Sequence, residues 1–175
     1  VDVGVVFQPH AAQIMDEGIG KMMFTGSTWA MNDGSVIVMR KDFIDQNPEA
    51  GKAWLKADIE ASLFMLKNPR ETAEMVAKEL PGFTVKEIWQ GLYGQYPPNT
   101  GSQENNVILQ EAFDDKIKAY MDDAFQFLHS IGSIPVGKPL PGALYPDLID
   151  AALKEMDLKA PLGTIKGLPL TEFKA

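Results

Sequence analysis

Two short stretches carry the polar side chains best placed to do chemistry. Gln8-Pro9-His10 follows the apolar run Val1–Phe7. Pro suits the first turn of a helix because its missing N–H would have no partner there. A strand turning into a helix at this point presents polar side chains beside exposed N–H groups, and the helix dipole favours an anionic ligand at that end. Gln8, Pro9 and His10 are therefore candidate ligand contacts, although ordinary first-turn residues on a surface would look the same. Gly26-Ser27-Thr28-Trp29 follows a second apolar run, Lys21–Thr25. At a strand exit in an open α/β sheet, the hydroxyls of Ser27 and Thr28 and the indole of Trp29 would face the crevice beyond the strand ends. Turn residues followed by an apolar plug account for the same positions more simply.

Other reactive patterns are weaker. The chain has no cysteine, which removes thiolate metal sites, disulfides and cysteine nucleophiles. Its two histidines, His10 and His129, stand far apart, and neither an HExxH pair nor a GxSxG turn occurs. His10 with Asp16 and Glu17 is a poor metal cluster, and His129 near a helix end fits a favourable dipole contact. No catalytic residue, metal ligand or cofactor is assigned. Tyr93, Tyr96, Asn99 and Gln103 form a polar, aromatic stretch suited to a cleft rim or to a solvated loop. The nine methionines are scattered and suit core filling.

The elements that must position these groups belong to a globular chain. Of 175 residues 45% are hydrophobic, enough for a sizeable core. Lys and Arg total 16 against 24 Asp and Glu, a net charge of −8 that makes nucleic acid a poor partner. No run of about eighteen apolar residues is present, and no basic segment with an apolar stretch and cleavage site opens the chain. The chain starts on Val1 in what already reads as a buried strand, so the expectation is that something upstream was removed or is missing.

Along the chain, Val1–Phe7, Lys21–Thr25 and Ser35–Arg40 read as strands. Pro9–Glu17 reads as a short helix stopped at Gly18. From Asp42 the pattern turns helical, with Asn47-Pro48-Glu49 and Asn68-Pro69-Arg70-Glu71 each offering an Asn cap followed by Pro. In the first of these helices Ala50, Ala53, Trp54, Ala57, Ala61 and Phe64 form one apolar row and Leu55, Ile59, Leu63 and Leu66 a second, which predicts cover on more than one side. Thr84-Val85-Lys86-Glu87 has the form of a capping box, flanked by Phe83 and Ile88 as a staple. Phe113, Ile117, Tyr120, Met121, Ala124 and Leu128 line one face of a later amphipathic helix. The Pro-rich tail from Ser133 holds one short helix from Pro146 to Met156, and must dock on a larger body or stay mobile.

The order of these signals resembles the second half of the nitrate/sulfonate/taurine-type substrate-binding proteins of ABC transporters, relatives of the pyrimidine-precursor-binding proteins. The resemblance rests on Val1–His10, on Asp16-Glu17-Gly18, and above all on Val36–Ile44 followed by Asn47-Pro48-Glu49-Ala50. Asn68–Ala73 and Phe127–Ile134 add to it.

That resemblance implies an α/β, two-lobed, periplasmic-binding-protein type II-like fold, lacking its N-terminal half and helix-rich after residue 42. Residues 1–30 would end the second lobe, and residues 31–175 would return to the first lobe with C-terminal helices and tail. It further implies an extracytoplasmic or periplasmic protein that binds a small anionic or polar organic ligand between the lobes, without catalysis, and docks on an ABC permease. The alternatives are an enzyme like the pyrimidine-precursor synthases, whose cysteine-rich motif is missing here, and a truncated fragment acting as an interaction module through self-association.

Overall fold

In the computed structural model of the protein, residues 2–29, 34–97, 100–101 and 106–173 are described. They make a mixed α/β chain with seven α-helices and one two-stranded sheet, in which β1 (Asn106–Leu109) pairs with β2 (Gly163–Lys166). The helices are α1 (His10–Asp16), α2 (Lys41–Gln46), α3 (Pro48–Lys67), α4 (Pro69–Glu79), α5 (Val85–Tyr93), α6 (Asp115–Ser130) and α7 (Pro146–Glu155). Two compact units result. Unit 1 comprises Val1–Val36, Ser62–Ile108 and Thr164–Ala175; unit 2 comprises Ile37–Ala61 and Leu109–Gly163.

Unit 1 is organised around α5. The capping box forms as the sequence predicts: Thr84 Oγ1 accepts the Glu87 N–H at 3.2 Å, and a Glu87 carboxylate oxygen accepts the Thr84 N–H at 2.7 Å. Two orphan donors are thereby satisfied, and the helix starts at a fixed angle. Its apolar side then buries Ile88, Trp89 and Tyr93 against Ala73 of α4 and Ile165 of β2. The tail docks on the same face. Leu168 donates its N–H to Tyr93 O and accepts from Gln95 at 2.9 Å, and the Phe173 ring lies 5.6 Å from Trp89.

In unit 2, Ile44, Ile59, Ile149, Ala152 and Leu153 are buried. Gly51 lies in close packing: a Cβ there would overlap the end of the Ile44 side chain and come within 3.3 Å of Leu148. Ion pairs tie the outside of this unit. Lys52 Nζ meets Glu155 at 2.6 Å and Glu49 at 2.9 Å, and Lys56 also bonds Glu155. These lysines hold the Glu155 carboxyl down to about 2, from an ordinary value of 4.5.

Three expectations need correction, and a fourth point is an element that was not expected. The runs read as strands are not strands: Lys21–Thr25 has Thr25 N–H donating to Thr100 O at 2.9 Å but forms no ladder, and residues 2–6 and 34–39 make no backbone hydrogen bond to another segment among the described residues. Val5 is 95% and Val38 85% exposed. β-propensity describes fitness for a half-covered pleated surface, and without a neighbouring strand it does not make a strand. Second, Asn47 and Asn68 do not cap the helices that follow them. Each turns its amide back to donate to a carbonyl of the preceding helix, Asn47 to Phe43 O at 3.1 Å and Asn68 to Phe64 O at 2.9 Å. Third, α3 is covered along Ile59 and its row while Trp54 and Phe64 of the other row stay exposed. Fourth, β2, placed in the Pro-rich tail, has no counterpart in the sequence reading.

Candidate functional site

The helix start at Gln8-Pro9-His10 is built on α5. Gly91 leaves room for it: a Cβ on that glycine would come within 3.3 Å of Gln8 Cβ and 3.5 Å of Pro9 Cα. The His10 ring meets Phe83 edge-on, with centroids 5.0 Å apart and planes at 66°, an arrangement favoured by the aromatic quadrupole. Farther along α1, Gln13 Nε2 donates to Gly82 O at 3.2 Å, and Lys86 pairs with Asp16. Ala12 is fully buried between these contacts.

The same geometry changes what the helix end can offer a ligand. Gln8 Oε1 accepts the Ala12 N–H at 3.1 Å, and Phe7 O accepts from Ala11 at 3.4 Å. The expected row of open first-turn N–H groups is thus filled from within the chain. His10 is exposed, and its backbone N–H, its imidazole and the Gln8 amide nitrogen have no hydrogen-bond partner among the described residues. These are hydrogen-bond donors beside an aromatic wall, suited to a small oxyanion or polar heterocycle.

Ser27, Thr28 and Trp29 fall in a 3-10 turn, Gly26–Trp29. The turn is pinned by Thr25, whose N–H and hydroxyl both donate to Thr100 O, at 2.9 and 3.2 Å. Thr28 N–H closes back on Thr25 O at 3.0 Å. Gly101 lies against Thr28 with φ +99, and a side chain there would collide with Thr28 Oγ1. The side chains of Ser27 and Trp29 lie outside the described part of the structure. Among the described residues no hydrogen bond links Gln8, Pro9 or His10 to Thr28.

The proposed rim divides differently. Tyr93 is a core residue, with its hydroxyl donating to Met65 O at 3.0 Å and its phenol pushed up by burial. Asn99 and Gln103 lie outside the described residues. Sequence reasoning did not select the two open grooves of unit 2. One, of about 360 Å³, is lined by Met39, Arg40, Asp42, Phe43, Gln46 and Asn47; the other, of about 280 Å³, by Ile37, Val38, Met39, Phe43, Ala50 and Trp54. Arg40 is committed to Asp42, with Nε 3.0 Å from Oδ1, and each holds the other charged. Among the described residues no group of three or more His, Asp or Glu side chains converges on a metal position.

The model of the NMT1-like family matches residues 1–89. The chain belongs to the NMT1-like family. The stretch matched contains both candidate groups and the Val36–Ala50 pattern that carried the resemblance to nitrate/sulfonate-type substrate-binding proteins; Phe127–Ile134 lies beyond it. Over 76 residues this NMT1-like chain is 33% identical to the nitrate/nitrite binding protein NrtA of Synechocystis sp., an alignment covering 42% of the chain and 17% of NrtA. The chain thus spans less than a fifth of the length of that relative. No solved structure matches the chain. The resemblance to the substrate-binding proteins of ABC transporters holds on both the family and the relative.

Proposed function

We propose that the chain is part of the extracytoplasmic solute-binding component of an ABC importer, and that it contributes Gln8, His10 and Thr28 to a site for a small oxyanion or polar organic molecule. The observation that carries this reading is the helix start seated on Gly91 and Phe83, with His10 exposed, inside the stretch that matches the family. NrtA, named for binding nitrate and nitrite, directs the ligand class toward compact anions. Closure is a population shift driven by contacts that are stronger in the closed state. An ABC permease receives the closed form. No bond is made or broken in this cycle.

Isothermal titration calorimetry with nitrate, nitrite, an alkylsulfonate and a neutral pyrimidine tests the reading. The expected result is saturable binding of at least one of these, weakened about tenfold or more in His10→Ala, equivalent to roughly 1.4 kcal/mol. Binding left unchanged in a folded His10→Ala variant removes His10 from the site, and no binding across the panel removes the proposed ligand class.

A further inference from the structure

No further inference is drawn: the strongest candidate, the apolar groove of unit 2 between residues 37–39 and the side chains of Phe43 and Trp54, is an unpartnered face, and nothing in the structure shows what covers it.

Discussion

Helices α5 and α6 begin with equally good local signals and end in opposite environments. α5 has its Thr84–Glu87 capping box, and α6 has Asp114, whose carboxylate accepts the Ile117 N–H at 2.8 Å. Both carry apolar residues at helical spacing. Yet α5 buries Ile88, Trp89 and Tyr93, whereas α6 buries no residue and leaves Phe127 62% exposed. Capping and spacing therefore decide that a helix forms, and tertiary partners decide which of its faces is covered. α4, β2 and the tail supply those partners to α5.

The largest effect expected from this contrast is at Trp89, which is 2% exposed. Trp89→Ala should destabilise unit 1 by about 3–5 kcal/mol through lost burial and the cavity left behind, read as a fall in the urea midpoint. A change under about 1 kcal/mol would break the claim that α5 organises the core. Next comes the cap. Thr84→Ala should cost about 1 kcal/mol, since the Glu87 N–H loses its acceptor, and Thr84→Ser should restore most of it in the same urea titration.

Charge at the surface of unit 2 gives a smaller and pH-dependent signature. The Glu155 carboxyl titrates below its ordinary value because Lys52 and then Lys56 bond its charged form. A depressed folded value means that its stabilising contribution is present above the ordinary 4.5 and is lost as pH falls through about 2. Carboxyl NMR should place the midpoint near 2, and Lys52→Met should move it up toward 4.5. An unmoved midpoint would show that the pair is not formed in solution. The smallest effect is expected on α6: Phe127→Ser should change stability by no more than about 0.5 kcal/mol, and a loss resembling that of Trp89→Ala would mean that a covered face exists there.

Local chemistry was the legible part of this sequence. The stop at Gly18, with φ +70, the prolines opening α3 and α4, the capping box and the α7 boundaries all depend on a few adjacent residues. What depended on distant segments was not legible. Val36–Met39 has the composition of a strand but no ladder partner among the described residues, and nothing in GTIK announced a pairing with NVIL. The candidate site divides in the same way. His10 could be singled out from its position at a helix start, whereas Phe83 beneath its ring and Gly91 beneath Gln8 lie more than seventy residues away in the chain. The folded-back cap from Gln8 to Ala12 escaped notice because glutamine is a minor capping residue, and it fills N–H groups that a sequence reading leaves open.

Native mass spectrometry of the purified chain, beside a Gln8→Ala/His10→Ala variant, tests the central claim most directly. The account predicts a small molecule of defined mass retained by the natural sequence, or taken up from an added nitrate or sulfonate, and lost in the variant. The same adduct on both proteins, or a ligand-free oligomer of the natural sequence, would contradict it.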